Sequence, residues 1–359
     1  MQARGGWSMI IEDVPTALPY DVVIGNGILT ETGKRIKQLL PKAKKVAIIT
    51  DDNVRELYLD EVKKYISDVG LEMFDYSIRP GEASKSSDNY IKLQNWLAGK
   101  GLTSTDAIIA LGGGVVGDLA GFVAATYLRG IPFIQIPSTL LAMVDSSVGG
   151  KTAIDLPMGK NLVGAFYQPS LVLCDTRLLD TLAVDFMQDG YSEIIKYGML
   201  GNPELLTDLA KGQFDMNEVV AICVRMKRDI VLVDEFDKGV RKLLNFGHTV
   251  GHAIEQISGY QISHGKAVAI GMAVDTKAAV QLGLCDERCL TVLSDLLKKY
   301  ELPSTTTYSA KEIYEATTRD KKREGDQITN IIPSEFGKCE MKIISMEEFY
   351  EWIKKGVSL

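Results

Sequence analysis

The chain has 359 residues, enough for about two domains. With 46% hydrophobic and 24% charged residues it has the composition of an ordinary globular protein with ample core. A formal charge of −7 argues against nucleic acid as the main partner, and no apolar run approaches the length of a membrane span. Residues 1–8 carry no apolar signal core, so export is not expected and Met9 is an alternative start. The cysteines are Cys174, Cys223, Cys285, Cys289 and Cys339, an odd number with no C-x-x-C, which points to a reduced, cytoplasmic protein.

The first half alternates. Residues 45–50 read as a buried strand, 51–53 as the turn after it, and the following dozen as a helix. Residues 72–78 suit a second strand, 79–82 break the chain, and 88–97 are helical. An apolar run over 107–111 ends in three glycines, a helix is expected over 119–127, and a short strand over 131–136. Strand alternating with helix predicts a Rossmann-like parallel sheet covered by helices, with ligands at the carboxyl ends of its strands. After about residue 181 the texture changes to long amphipathic stretches, at 185–200, 217–233, 243–257, 266–282 and 287–300. These predict an all-α second domain over 182–359, following an α/β domain over 1–181, with the active site in the cleft between them.

All three histidines, His248, His252 and His264, fall in one short stretch. Neutral imidazole is the commonest protein ligand for a transition metal, so the cluster predicts a metal site more readily than three unrelated structural histidines. Spacing alone nominates His248 and His252, four apart on a helix, as paired ligands. The residue after His248 is Thr249, not Glu, so this is not the metalloprotease signature. Glu193, in Ser192-Glu193-Ile194-Ile195-Lys196, becomes a candidate third ligand, since two His and one carboxylate make a common catalytic zinc shell. Read alone, Glu193 and Lys196 are a routine pair three apart on a helix. Arg241, Asn245, His248 and His252 follow at intervals of four, three and four, a helical stripe that is either solvated or lines a site.

Gly112-Gly113-Gly114-Val115-Val116-Gly117-Asp118 follows a strand and opens a helix, a place where backbone N–H groups can take phosphate. Its spacing is not the dinucleotide G-x-G-x-x-G. Gly150-Lys151-Thr152 resembles the end of a P-loop, but the glycine required five residues earlier is Asp145. Lys151, and Lys160 in Gly159-Lys160-Asn161, still sit in polar, glycine-rich segments suited to an oxyanion.

These motifs occur in one order with Pro80-Gly81-Glu82-x-x-Lys85, Asn245-Phe246-Gly247-His248, His264-Gly265 and Asp320-Lys321-Lys322. Together, from about Pro19 to the C-terminus, they resemble the 3-dehydroquinate synthase family of sugar phosphate cyclases. The resemblance implies a dehydroquinate synthase-like fold and a lyase dependent on NAD and on zinc, with cobalt as an alternative metal. It implies that 3-deoxy-D-arabino-heptulosonate 7-phosphate becomes 3-dehydroquinate and phosphate, in the shikimate pathway to aromatic amino acids. The implied metal ligands are Glu193, His248 and His264, which overrules the spacing-based pair and turns His252 toward substrate. The implied NAD contacts are Asp51, Glu82, Lys85, Gly113, Gly114, Val115, Asp118, Ser138, Thr139, Lys160 and Thr181. Substrate and catalysis fall to Asp145, Lys151, Asn161, Lys196, Lys227, Arg241, Asn245, His252 and one lysine of the Lys321-Lys322 pair, with Lys321 favoured. Arg129 is expected to reach the phosphate from a second subunit of a homodimer.

The implied chemistry is oxidation of the C5 hydroxyl by NAD⁺, elimination of phosphate, reduction back, ring opening and an intramolecular aldol closure, with no net redox. Zinc would favour the C5 alkoxide. Rivals are a sister cyclase making 2-deoxy-scyllo-inosose or a valiolone, a metal-dependent polyol dehydrogenase, and a non-catalytic NAD-binding module. Asn245 and the Asp320-Lys321-Lys322 motif favour the dehydroquinate reaction over its sisters.

Overall fold

The computed structural model describes residues 9–318 and 326–358. Lys321, Lys322 and residues 1–8 lie outside the described residues. The chain divides into two units, Met1–Leu182 with Met216–Glu235, and Ala183–Asp215 with Phe236–Leu359.

In chain order the first unit forms β1 (Ile10–Val14), β2 (Tyr20–Gly25), β3 (Lys45–Asp51), β4 (Glu72–Ile78), β5 (Ala107–Gly112), β6 (Phe133–Pro137), the hairpin strands β7 (Lys151–Leu156) and β8 (Gly159–Phe166), and β9 (Leu171–Asp175). Seven of them make one sheet in the order β1-β2-β9-β6-β5-β3-β4. All neighbours are parallel except β1 with β2. Every residue of β5, β6 and β9 is buried, which is why β5 reads as an unbroken apolar run and not as an alternating one. The helix after β5 covers Gly114–Thr126 and so starts five residues before the expected Leu119. Leu119, Ala120 and Val123 on it pack into the core with Ile108, Phe133 and Ile154.

The parallel register aligns the carboxyl ends of four adjacent strands. Asp51 pairs with Ile78, Thr50 with Leu111, and Gly112 with Pro137. The residues following β3, β4, β5 and β6 therefore emerge on one sheet edge, where open α/β sheets bind ligands.

One expected helix changes sides. The helix Met216–Val233 belongs with the first unit, although chain position put it in the second. It packs on β1 and β2, burying Val219, Val220, Cys223 and Val224. Arg225 and Arg228 reach the largely buried Glu12 of β1 at 2.7 and 3.2 Å. A boundary read from local texture could not reveal an apolar face that returns to a distant strand.

The second unit carries helices Val184–Gly201, Pro203–Lys211, His248–Ile257, His264–Gln281, Glu287–Lys299, Ala310–Thr318 and Met346–Val357. Val250, Ile254, Ile270, Val274, Ile313, Phe349 and Trp352 share its core. It is not all-α, as expected, because β10 (Gln327–Glu335) and β11 (Lys338–Ser345) form an antiparallel hairpin. The burial of Ile328, Asn330, Ile331 and Ile332 on β10 supplies the tertiary support that a short charged hairpin lacks locally.

The expected helix over 243–257 is broken. Val240–Asn245 is a 3₁₀ turn, Gly247 adopts φ +75°, and the α-helix begins at His248. Arg241, Asn245, His248 and His252 therefore do not form one helical stripe. Among the described residues no helix is long and apolar enough to cross a membrane.

Candidate functional site

In the second unit, two of the three histidines open helices. Gly247, left-handed, ends the 3₁₀ segment and makes His248 the first residue of its helix. His264 is the first residue of the helix His264–Gln281. The two helices meet through backbone: a Cβ at Gly271 would lie 1.9 Å from the carbonyl oxygen of Gly247, and one at Gly247 would lie 2.7 Å from the nitrogen of Met272. Only glycine allows both the positive φ and this approach. Below Gly247, the buried Asp275 accepts the N–H of Trp352 at 2.9 Å and the backbone N–H of Gly247, while burial raises its carboxyl to about 7.

The helix Val184–Gly201 brings Glu193 to the same place. Glu193 is fully buried. Its Oε1 lies 3.6 Å from His248 Nε2 and 3.5 Å from His264 Nε2. Its Oε2 is held by the ammonium of Lys196, itself 1% exposed. Two ligands of a tetrahedral zinc ion, each about 2.0–2.1 Å from it, lie about 3.4 Å apart. The donors of Glu193, His248 and His264 all fall within 4.8 Å of one another, so their spacing and chemistry fit such an ion.

The far sides of the rings fit it as well. His248 Nδ1 lies 3.1 Å from the carbonyl oxygen of Phe246, and His264 Nδ1 lies 3.1 Å from Glu255 Oε2. Donation from Nδ1 leaves each Nε2 lone pair for a metal. Burial pushes the His264 imidazole down, but Glu193 and Glu255 outweigh it and hold it up at about 10, so a metal would bind at Nε2 by displacing that nitrogen's proton. His252 stands beside both rings, at centroid distances of 5.4 Å from His248 and 5.7 Å from His264. Its own donor groups with Glu255 and His264 rather than with Glu193. The i,i+4 pair suggested by spacing is thus not the pair that meets at Glu193.

In the first unit, the expected NAD residues Asp51, Gly113, Ser138 and Thr139 end or follow strands along the aligned sheet edge. Asp51 ends β3 and caps the turn after it, accepting N–H groups from Asn53 at 3.0 Å and Val54 at 3.1 Å. Gly113 precedes the helix Gly114–Thr126 without a side-chain cap, so the first N–H groups there face no capping side chain. Ser138 and Thr139 follow β6. Thr181 ends the 3₁₀ segment Thr176–Thr181, and its hydroxyl lies 2.5 Å from that of Tyr58.

Lys85, three residues after Glu82, is buried. Its ammonium lies 2.5 Å from Asp118 Oδ2 and 3.8 Å from Glu82 Oε1, and it also donates to Asn161 Oδ1. Burial works to discharge it, but Asp118 and then Glu82 keep its pKa above the usual lysine value. Burial raises Asp118 in turn, against the pull of Lys85. Lys160 reaches Glu82 at 3.8 Å.

Asn161 sits in β8 at φ +56°, with its N–H bound at 2.7 Å to Asp155, a residue the sequence reading missed. Lys227, buried, donates to the backbone oxygen of Asp145 at 2.7 Å and meets its carboxylate at 3.1 Å. Lys151 is exposed at the start of β7. Arg129 is exposed within three successive positive-φ residues, Leu128, Arg129 and Gly130. In the second unit, Arg241 is buried and Asn245 half-buried on the 3₁₀ turn before Gly247. Glu255 was also missed, although its place seven residues after His248 and three after His252 puts it on their helix face.

The family described as 3-dehydroquinate synthase N-terminal matches residues 75–189, and that described as 3-dehydroquinate synthase C-terminal matches residues 190–323. The chain is 42% identical to the 3-dehydroquinate synthase of Clostridium acetobutylicum over 343 residues, covering 93% of this chain and 96% of that one. It is 43% identical to the 3-dehydroquinate synthase of Streptococcus suis over 345 residues, covering 94% and 97%. Among solved structures it is similar to 2-deoxy-scyllo-inosose synthase complexed with carbaglucose-6-phosphate, NAD⁺ and Co²⁺, with a TM-score of 0.87, 25% identity and coverage of 97% and 100%. A 2-epi-5-epi-valiolone synthase from Streptomyces hygroscopicus subsp. jinggangensis, with NAD⁺ and Zn²⁺ bound, gives 0.83 at 25% identity and coverage of 93% and 95%. An iron-containing alcohol dehydrogenase shares the fold at a TM-score of 0.64 and 16% identity, covering 98% of this chain and 99% of that one.

Proposed function

This chain belongs to the 3-dehydroquinate synthase family and performs that family's step of the shikimate pathway, and from this premise we propose how its residues turn 3-deoxy-D-arabino-heptulosonate 7-phosphate into 3-dehydroquinate and phosphate. The observation that carries the reading is the buried Glu193 oxygen 3.5–3.6 Å from two imidazole nitrogens. When bound, NAD⁺ supplies a reversible hydride acceptor and Zn²⁺ or Co²⁺ a Lewis acid. Glu193, His248 and His264 would hold the metal. Asp51, Glu82, Lys85, Gly113, Gly114, Val115, Asp118, Ser138, Thr139, Lys160 and Thr181 would hold NAD.

The other residues position substrate and manage charge. Lys196 sets a buried ammonium against Glu193, where it can stabilise an oxyanion on the substrate. His252, adjacent to both ligand rings, holds or passes the proton of the reacting hydroxyl. Lys151, Lys227, Arg241 and Lys321 bind phosphate and carboxylate, with Arg suited to bidentate capture and Lys acting as a point charge. Asp145, Asn161 and Asn245 orient the sugar hydroxyls. In the elimination step, the proton leaves C6, the C–O bond to phosphate breaks, and the departing phosphate itself takes the proton. Ring opening and aldol closure then need orientation and exclusion of water more than a further catalyst. Because the chain is acidic overall, the anion-binding field is local. We further assign a cytoplasmic homodimer in which Arg129 serves the neighbouring subunit's phosphate site.

The test is phosphate release from the heptulosonate phosphate with NAD⁺ and zinc supplied, repeated after chelation. The expected outcome is release that needs both, no accumulation of NADH, and 3-dehydroquinate identified by NMR. NADH accumulating with a simple polyol would assign a dehydrogenase instead, and a different carbocycle would assign a sister cyclase.

A further inference from the structure

We propose that Glu255 is a positioning residue of the metal centre: it fixes the His264 ring with its proton on Nδ1 and its Nε2 lone pair toward the metal. The inference rests on the metal assignment made above.

Glu255 lies on the helix His248–Ile257, is 4% exposed, and aims Oε2 at His264 Nδ1 from 3.1 Å. A neutral imidazole carries one N–H. A carboxylate accepts only, so the contact favours that proton on Nδ1. The opposite nitrogen then faces Glu193 Oε1 with its lone pair. His248 achieves the same tautomer with a neutral partner, the carbonyl of Phe246. The two ligand imidazoles thus differ: one is backed by a dipole, the other by a full negative charge, which makes His264 the more basic ligand.

The fold explains why His264 needs the stronger partner. It is the first residue of an 18-residue helix, where the positive end of the helix dipole opposes a nearby cation. Ser263, just before it, does not cap that helix; its hydroxyl bonds Asp189 at 2.6 Å instead. A buried anion at Nδ1 offsets the unfavourable field.

Glu255 could instead be a ligand, since its carboxylate, a nitrogen of His252 and a nitrogen of His264 also fall within 4.8 Å of one another. The 3.1 Å separation from Nδ1 is hydrogen-bond length and shorter than the roughly 3.4 Å expected of two ligands on one zinc ion. The geometry favours the positioning role.

The experiment measures zinc affinity and stoichiometry of the full chain by chelator competition, and the absorption spectrum of the Co²⁺ form, for wild type, Glu255→Gln and Glu255→Ala. Circular dichroism and Tm identify folded variants. Glu255→Ala is expected to bind one zinc roughly 10–100-fold more weakly with an altered Co²⁺ spectrum. Glu255→Gln keeps an acceptor oxygen but not the charge, and should fall between it and wild type. If Glu255→Ala does not fold, the Gln variant alone decides: affinity equal to wild type overturns the proposal. Unchanged affinity in a folded Ala variant also overturns it, as does a second zinc equivalent in wild type that either substitution removes. A wild type that binds one zinc but releases no phosphate overturns the proposed function and leaves this comparison intact; a wild type that binds no zinc overturns both.

Discussion

The proposed metal centre of the second unit and the proposed nucleotide edge of the first are assembled by different means. Glu193, His248 and His264 come from three helices, two of them locked together where Gly271 leaves no room for a Cβ against the backbone of Gly247. The edge residues Asp51, Glu82, Gly113 and Ser138 end or follow four parallel strands and are set by sheet register. In the first case a few buried groups hold one another, so a single change reaches all of them. In the second the scaffold does the positioning, and each residue adds a separable contribution. Buried functional clusters should therefore fail together, and strand-end sites should fail piecemeal.

Four substitutions put that contrast at risk, from the largest expected effect to the smallest. Glu193→Gln removes the proposed anionic ligand and the charge that faces Lys196. A Lewis acid contributes several kcal/mol, so phosphate release should fall by about 10³-fold or more, along with zinc content. Turnover above a tenth of wild type with full zinc would break the idea of an interdependent centre.

Gly271→Ala forces a methyl group against the Gly247 carbonyl, at a cost of about 3 kcal/mol, and should lower both Tm and zinc affinity although it touches no ligand. Denaturant unfolding and zinc titration check it. A stable variant with native zinc affinity would show that the helix contact does not position the ligands.

Lys85→Met tests the other region. Removing the ammonium that holds Asp118 and Asn161 should loosen this edge and weaken NAD⁺ binding by roughly 10–100-fold, with zinc affinity unchanged. Titration of both ligands decides it; a parallel loss of zinc would contradict piecemeal failure.

Asp275→Asn sharpens the comparison through pH. Burial raises the Asp275 carboxyl to about 7 from the usual 3.8, so between those values the folded state holds a proton the unfolded state has released. Wild-type stability therefore falls as pH rises through that window, by at most about 1.4 kcal/mol per pH unit from this group. The Asn variant, whatever its fixed cost, should lose that contribution. Equal slopes for both proteins in denaturant unfolding at pH 4, 5.5 and 7 would remove Asp275 as the source.

Much of the site was legible before folding. The histidine cluster announced a metal, and the three-glycine run after an apolar strand announced a helix, which opens at Gly114 and not at the expected Leu119. The strands β3, β4, β5 and β6 were legible as well, β5 because a strand enclosed on both faces favours apolar residues throughout. Glu255 could have been read from its spacing on the helix of His248 and His252, and was not.

What the sequence by itself determined was the local: the strands β3 to β6, most helix spans, the residue types able to bind metal and phosphate, and the family to which they belong. Only the tertiary structure decided which donors meet. It took His264 rather than His252 to Glu193, because the positive φ of Gly247 breaks the expected continuous helix and the Gly271 contact presses one helix start against the other helix. It sent the helix Met216–Val233 to the first unit and supported the β10–β11 hairpin, because both bury apolar faces against partners distant in sequence. Periodicity reports which face of a segment is apolar; it carries no information about the surface that face will find.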